Sequence, residues 1–262
     1  MRAARRRASV GFTLVELLVV TVILGMLAAI SARVAFTVIA TAKVAQITTE
    51  LKLLETALKD YQIEFGSYPP MLSDEEAVRR HVDRRWPESL DDLPSASVQE
   101  APAVSLVFWL GKFSNDPERP FSGNDRGAAR FDFVEQQLGY ERDGERTDEP
   151  RRGEGNLRNL VYWMYYPPKL FKPYVYFESR SYETARYDEA LRPYRKSKVI
   201  DVSDPSDIYV NPGSFQIICA GSDNEYGSGG KYPDGPYDTE NRGRGDDNIT
   251  NFSGRKLEDA KP

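Results

Sequence analysis

The stretch GFTLVELLVVTVILGMLAAISA, residues 11–32, decides the fold, because the rest of the chain must be arranged around it. Residues 12–32 are 21 residues with a single charge, that of Glu16. At the helical rise of about 1.5 Å per residue they span roughly 30 Å, the thickness of the hydrocarbon core of a bilayer. The sequence therefore predicts a membrane-spanning helix over residues 12–32.

The segment before this stretch, MRAARRRASVG, carries four arginines and no acid, a pattern typical of a segment that stays on the cytoplasmic side of a membrane. A secretory signal would have a shorter apolar region and a small-residue cleavage site, whereas here Arg33 and Val34 follow directly. We therefore expect the apolar segment to be retained. Glu16 then needs a partner, because a carboxylate near hydrocarbon costs at least a few kcal/mol unless it is paired or interfacial.

GFTLVELLVV, residues 11–20, after a short basic leader, resembles the prepilin cleavage and methylation motif of type IV pilins and type II secretion pseudopilins. The resemblance implies that a prepilin peptidase cuts between Gly11 and Phe12, removing residues 1–11, and methylates the new amino group of Phe12. It also implies that Glu16 attracts the Phe12 amine of a neighbouring subunit during assembly. The alternative is a plain signal anchor with a stray glutamate near its start.

The helix is expected to continue beyond the membrane, because no proline occurs before Pro69 and apolar residues recur at spacings of three and four. These residues are Val44, Ile47, Leu51, Leu54, Leu58, Tyr61 and Phe65. Gly66 and the two prolines that follow end the pattern, which predicts one helix over residues 12–66, about 80 Å long. The stripe favours docking on the chain's own C-terminal part, with a dimeric coiled coil as the alternative. LKLLETALKDYQIEFGSYPP, residues 51–70, is similar to the helix end and Tyr-Pro-Pro turn of major pseudopilins.

Residues 67–262 are predicted to form a periplasmic globular domain. An apolar run at 103–113 favours a helix, an aromatic stretch at 160–182 favours two short strands, and SFQIICAG at 214–221 favours a central strand. Residues 71–158 contain no known motif and are interpreted as a variable insertion, in which 143–156 forms a surface loop. The expected fold is α+β and pilin-like: a long N-terminal helix, transmembrane and then amphipathic, packed on a small antiparallel sheet, with insertions.

Composition excludes several classes of function. Lys plus Arg is 35 and Asp plus Glu is 40, a net charge of −5, which argues against a nucleic-acid partner. One cysteine, Cys219, allows no intramolecular disulfide, and one histidine, His81, makes a His-rich metal centre or a multi-histidine catalytic site improbable. His81 lies in the charged run DEEAVRRHVDRRWPE, which favours a solvated or capping histidine over a catalytic base. We therefore expect a protein that is not an enzyme.

A loop at residues 220–252 is rich in hard oxygen ligands and glycine. Calcium takes six to eight oxygens in adaptable geometry, which this composition suits, although the spacing is not that of an EF-hand and a solvated acidic loop is the alternative. AGSDNEYG and DDNITNF are similar to the C-terminal loop of major type II secretion pseudopilins, where calcium stabilises the subunit. The resemblance implies side-chain ligation by Asp223, Asp246 and Asp247, with backbone carbonyls near Ala220 and Ser222.

Together these features indicate a structural subunit of a type II secretion pseudopilus. The resemblance implies a single-pass protein of the bacterial inner membrane with its C-terminal domain in the periplasm, which an inner-membrane assembly platform joins to other pseudopilin subunits. One alternative is a type IV pilus subunit, against which the calcium-type loop and the lack of a cysteine pair argue. Another is a membrane-anchored binding or adhesin domain with a prepilin leader. An anchored hydrolase has the least support.

Overall fold

The computed structural model describes residues 12–93, 101–111, 114–121, 129–142, 145–147, 163–188, 190–198, 203, 208–237 and 245–261. The chain divides into two compact units, Met1–Lys43 and Val44–Pro262. Each unit is described by itself.

The first unit contains the beginning of helix α1, Leu14–Phe65, which starts two residues after the predicted boundary and ends one residue before it. Within α1, the segment Leu14–Ser31 is long and apolar enough to cross a membrane. Its side chains are exposed throughout, as are those of Phe12 and Thr13. An N-terminal apolar helix of the length that a single-pass anchor requires is thus present, as predicted.

The second unit begins with the outer half of α1, whose apolar stripe is buried in the core of the same chain. The buried members of the stripe are Ile47, Leu51, Leu54, Leu58, Tyr61 and Phe65. The predicted docking on the chain's own globular part is therefore confirmed, and the stripe needs no coiled-coil partner. The helix ends at Gly66, which has a φ of +77° and donates its N–H to the Gln62 carbonyl at 2.7 Å. Glycine adopts this left-handed conformation without the steric cost of a Cβ.

In the described residues of the second unit, eight short strands form three small sheets. The strands are β1 Leu138–Arg142, β2 Glu145–Thr147, β3 Met164–Tyr165, β4 Val175–Glu178, β5 Arg195–Lys196, β6 Phe215–Cys219, β7 Lys231–Tyr232 and β8 Ile249–Thr250. Their orders are β2-β1-β3 and β4-β6-β8, both antiparallel, and a parallel pair β5-β7. In the central sheet, Val175 lies opposite Ile218, and Ile218 lies opposite Thr250. All five residues of β6 are buried, which suits its apolar composition and central position.

Two helices come from the segment predicted as an insertion, α2 Glu75–Asp83 and α3 Ala101–Leu110. Every residue of α3 is buried, and α3 packs closely against β3 and β4. This part of the segment therefore belongs to the core instead of decorating it. In the predicted surface loop 143–156, residues 145–147 form β2, and the rest lies outside the described residues. With its long N-terminal helix and small antiparallel sheets, the chain has the α+β, pilin-like fold that the sequence predicts.

Three side chains from different elements hold the turn after α1. Arg180 Nη2 donates to the Tyr68 carbonyl at 3.2 Å, and the Tyr176 hydroxyl donates to the Pro69 carbonyl at 2.8 Å. Trp109 Nε1 of α3 donates to the Pro70 carbonyl at 2.7 Å. Side chains of the globular part thus satisfy three consecutive backbone carbonyls of this turn.

Candidate functional site

The N-terminus of α1 is closed by a reciprocal set of hydrogen bonds between Thr13 and Glu16. Thr13 N and Oγ1 donate to Glu16 Oε2 at 2.9 and 2.8 Å, and Glu16 N donates to Thr13 Oγ1 at 3.2 Å. This is a capping box, in which two N–H groups without helical partners are satisfied by side chains. Thr13 was not predicted to have a role, although the Thr-x-x-Glu spacing before an apolar run is the signal that identifies such a cap.

The capping box places the predicted processing and assembly residues within one turn of each other. Phe12 precedes the cap, so its backbone lies outside the helix, and the residue is 72% exposed. Gly11 lies outside the described residues. Glu16 turns its carboxylate back to the backbone of Thr13, next to Phe12. Among the described residues, the Glu16 side chain accepts hydrogen bonds from Thr13 N and Thr13 Oγ1 only.

The loop that follows β6 brings Asp247 against the turn that begins at Gly221. Asp247 Oδ2 accepts hydrogen bonds from Ser222 N at 2.7 Å and from Ser222 Oγ at 2.6 Å. Gly221 has a φ of +68°, and a Cβ there would overlap the Asp247 carboxylate, so this close approach requires glycine. Asp247 Oδ1 is buried and has no hydrogen-bond partner in the described part of the chain. A buried carboxylate oxygen without a donor is costly unless a cation satisfies it.

Asp223 adds a second carboxylate to this place. Its Oδ1 accepts a hydrogen bond from Glu225 N at 2.8 Å. Burial, together with the nearby Asp247 charge, raises the pKa of the Asp223 carboxyl to about 6. The structure therefore brings together two of the three predicted metal ligands, in an environment that disfavours two uncompensated negative charges.

Asp246, the third predicted ligand, is engaged elsewhere. Its Oδ2 lies 3.1 Å from Lys261 Nζ, whereas the nearest lysine to Asp247, Lys256, has its Nζ 3.9 Å from Oδ2. Within the described ranges, no group of three or more His, Cys, Asp or Glu side chains is arranged to hold a metal ion. A full calcium shell there would have to draw on backbone carbonyls, on Ser222 and on water besides Asp223 and Asp247.

His81 is buried, contrary to the prediction of a solvated or capping side chain. Its Nε2 lies 2.8 Å from the Tyr61 hydroxyl, and its Nδ1 lies 3.2 Å from Ser67 Oγ. The pKa of His81 is lowered to about 4. Burial of the imidazole is the main cause, and the positive charges of Arg180, Arg85 and Arg84 add to it. A serine beside a histidine suggests an activated nucleophile, but the three cations oppose the imidazolium that such a base must become. The arrangement favours a packing role.

Comparison with known proteins bears on the N-terminal segment. The family model for the prokaryotic N-terminal methylation motif matches residues 6–32. No curated protein and no solved structure gives a significant match to the chain. The motif implies processing by a prepilin peptidase and assembly with other pilin-like subunits. A prepilin-type methylation motif followed by an exposed apolar helix, with an α+β unit after it, supports a place for the chain in the type IV pilin-like family.

Proposed function

We propose that the protein is a structural subunit of a type II secretion pseudopilus, held by α1 in the bacterial inner membrane with residues 67–262 in the periplasm. The observation that carries the proposal is the methylation motif at the start of the apolar segment Leu14–Ser31, whose side chains are all exposed. A helix exposed on all sides needs lipid before assembly and neighbouring subunits after it. We propose a non-enzymatic role, which His81 supports through its low pKa and its burial beneath arginines.

The pseudopilin assignment, as opposed to a surface pilin, is supported by the loop after β6. The single cysteine, Cys219, is buried in β6 and has no second cysteine to pair with. The acidic loop instead offers a way of stabilising the C-terminal region without a disulfide. Calcium would be held by Asp223 and Asp247, because these carboxylates lie together and no described residue donates to Asp247 Oδ1. The bound ion would supply positive charge that locks the loop against the end of β6.

The first test is intact-mass analysis of the full-length protein extracted from membranes of cells with and without a prepilin peptidase. The proposal expects a mature chain that begins with methylated Phe12 only where the peptidase is present. A chain that retains residues 1–11 in both cells would contradict it and favour the anchored binding domain. The mature protein is then tested in cells that lack their own subunit: restored protein export supports a pseudopilin, and restored surface fibres support a type IV pilin.

Two variants separate the proposed role of Glu16 in assembly from its role in capping α1. Glu16→Val removes the carboxylate and the cap, whereas Thr13→Val removes the side-chain half of the cap and keeps the carboxylate. We expect both variants to be processed, and only Glu16→Val to be lost from assembled material recovered by shearing or crosslinking. Equal loss in the two variants would show that helix capping, worth about 0.5–2 kcal/mol, accounts for the phenotype.

Calcium binding is tested by thermal unfolding of the detergent-solubilised protein with calcium, with magnesium and with a chelator. We expect calcium to raise the melting temperature above the value in magnesium. Asp247→Asn and Asp223→Asn should reduce that rise, while Asp246→Asn, which breaks an ion pair with Lys261, should keep most of it. Absence of a calcium-specific rise in the unmodified protein would refute the site.

A further inference from the structure

The second unit leaves few large apolar side chains exposed in its described part: Leu53 and Ile63 on α1, Val134, and Phe171. Ile63 is 81% exposed and Phe171 is 71% exposed. Single exposed apolar residues are ordinary on protein surfaces, so exposure alone indicates nothing. Two features distinguish these residues. The backbone of Phe171 is rigidly held, and Leu53 and Ile63 are aligned on one face of α1.

Phe171 lies in the turn between β3 and β4, and this turn is held on both sides of it. Phe171 N donates to Asn224 Oδ1 at 2.8 Å, and the Tyr226 hydroxyl donates to the Pro173 carbonyl. Lys172 Nζ lies 3.3 Å from Asp188 Oδ2. The turn therefore presents an aromatic ring on a backbone that is already fixed. Such a residue can act as an anchor, because little conformational entropy remains to be lost on binding. We call residues 169–172 the Phe171 knob.

Lys169 gives the knob a charge. It is exposed and takes a left-handed conformation with a φ of 59°. Its ammonium group has no ion-pair partner among the described residues, in contrast to that of Lys172. The knob thus combines an exposed aromatic ring with an uncompensated positive charge two residues away.

The outward face of α1 has the complementary composition. Leu53, Thr56, Asp60 and Ile63 recur at spacings of three, four and three, so they lie along one face of the helix. All four are exposed, and the opposite face carries the buried stripe. Asp60 is in the middle and, in the part of the chain that the structure describes, forms no ion pair. We call these four residues the α1 outer face.

The knob and the α1 outer face are different patches of the second unit, and most of the outer face lies further along α1 than the knob. Close to the knob, the Tyr174 hydroxyl donates to Glu50 of α1 at 2.7 Å, which places the knob near the level of Glu50. Ile63 is about 20 Å further along α1 at the helical rise. Two different patches that bind each other between copies make a heterologous contact, and such a contact repeats without closing into an open filament.

We propose that the Phe171 knob of one copy packs on the α1 outer face of a second copy, with Phe171 between Leu53 and Ile63 and Lys169 against Asp60. This interface rests on the proposed filament function and supplies it with a contact outside the apolar segment. It also gives the acidic loop a part in assembly, because Asn224, next to Asp223, holds the backbone of Phe171.

The test is cysteine crosslinking of the full-length protein in membranes of cells that contain the peptidase, in a Cys219→Ala background. The double variant Phe171→Cys with Ile63→Cys should give a ladder of multimers with a short bismaleimide, and each single cysteine should give none. The matched control pairs Phe171→Cys with Glu75→Cys, an exposed position on α2, and should give no ladder. A dimer from Phe171→Cys alone would indicate a symmetric contact and overturn the proposal.

Charge reversal adds a readout that a folding defect does not reproduce. Lys169→Asp and Asp60→Lys should each reduce the ladder several-fold, and the two together should restore it. Leu24→Cys in the apolar segment reports assembly independently of the globular unit. If Leu24→Cys crosslinks while the 171/63 pair does not, the interface is wrong and the filament stands. If neither crosslinks, the interface and the filament function are both wrong.

Discussion

Gln216 is a fully buried polar residue in the middle of β6 whose amide joins that strand to two other segments. Its Oε1 accepts from Tyr194 N at 2.7 Å, and its Nε2 donates to the carbonyls of Tyr194 and Val210 at 2.9 Å each. These backbone groups are buried with it. The Tyr194 carbonyl also accepts from Val210 N at 3.1 Å, whereas Gln216 supplies the hydrogen bonds of Tyr194 N and of the Val210 carbonyl.

Gln216→Leu should therefore destabilise the protein far more than its similar volume suggests. It removes the Gln216 hydrogen bonds of two buried backbone groups, Tyr194 N and the Val210 carbonyl, while the Tyr194 carbonyl keeps its bond from Val210 N. The expected cost is about 2–4 kcal/mol in the free energy of unfolding. Chemical denaturation measures this loss, and Gln46→Leu, an exposed change on α1, is the matched control. Equal stability of the two variants would contradict the assignment of these hydrogen bonds.

His81 predicts a dependence of stability on pH. Its pKa is about 4 in the folded protein, against an ordinary value of 6.5 in the unfolded chain. As the pH falls from about 6.5 towards 4, the unfolded chain binds a proton that the folded protein does not, so stability falls, by up to about 3 kcal/mol. Above pH 6.5 histidine makes no such contribution, because it is neutral in both states.

His81→Gln should remove this part of the pH dependence and leave the contributions of the carboxylates. Burial raises the pKa of Glu50 and of Glu178, so the contribution of these two groups to the stability of the protein rises as the pH falls. This is opposite to the effect of His81. The urea midpoints of the two proteins at pH 7.5 and pH 4.5 give the comparison. An equal decline in both would mean that His81 is accessible to protons in the folded state.

At the scale of elements, α1 is joined to the strands by a half-buried carboxylate. Glu50 accepts from the Tyr174 hydroxyl at 2.7 Å and from Gln137 Nε2 at 3.1 Å. Tyr174 directly precedes β4, and Gln137 directly precedes β1. One side chain of α1 therefore fixes the starting points of strands in two different sheets.

Tyr174→Phe should lower the free energy of unfolding by about 1.5–3 kcal/mol, the range for a hydrogen bond to a charged group. The double variant Glu50→Gln with Tyr174→Phe should lose less free energy of unfolding than the two single variants lose in sum, because each change removes the same bond. A double-mutant cycle by chemical denaturation should give a coupling energy of about 1–2 kcal/mol. Additive effects would show that the two side chains act independently.

The elements with a strong period were predictable from the sequence. The spacing of three and four along residues 44–65 fixed the buried face of α1, and the short apolar run at 214–221 fixed β6. The run at 103–113 was correctly predicted as helical, but its position against β3 and β4 was not, because a helix that is apolar all round is buried without indicating its neighbours.

The candidate sites were less predictable, for physical reasons that differ between residues. The burial of His81 follows from Ala77, Val78 and Val82, which share its face of α2. The prediction of a solvated histidine rested instead on the charged composition of the surrounding run, which the arginines dominate. Asp223 and Asp247 were predicted as ligands from resemblance. Their meeting depends on a glycine turn and not on any periodic pattern, so spacing alone did not distinguish Asp247 from Asp246, which bonds Lys261.

At the scale of the whole molecule, the second unit contains the buried stripe of α1 together with all three sheets. A fragment of residues 44–262 should therefore fold cooperatively and stay in solution without detergent. A fragment of residues 67–262 should not fold, because it loses six large buried side chains, each worth about 1.5–3 kcal/mol, against a total stability of about 5–15 kcal/mol. Circular dichroism and size-exclusion chromatography distinguish the outcomes, and a cooperative transition in the shorter fragment would contradict this account.

The turn after α1 has a mechanical consequence. The carbonyls of Tyr68, Pro69 and Pro70 are each bonded to a different part of the core. Tension applied along α1 reaches the core along the buried stripe of residues 47–65 and, at the end of the helix, through this turn, where three hydrogen bonds from different elements share the load. The end of α1 is therefore tied to the core by hydrogen bonds as well as by packing, and a pull on the helix should have to break both before the turn opens.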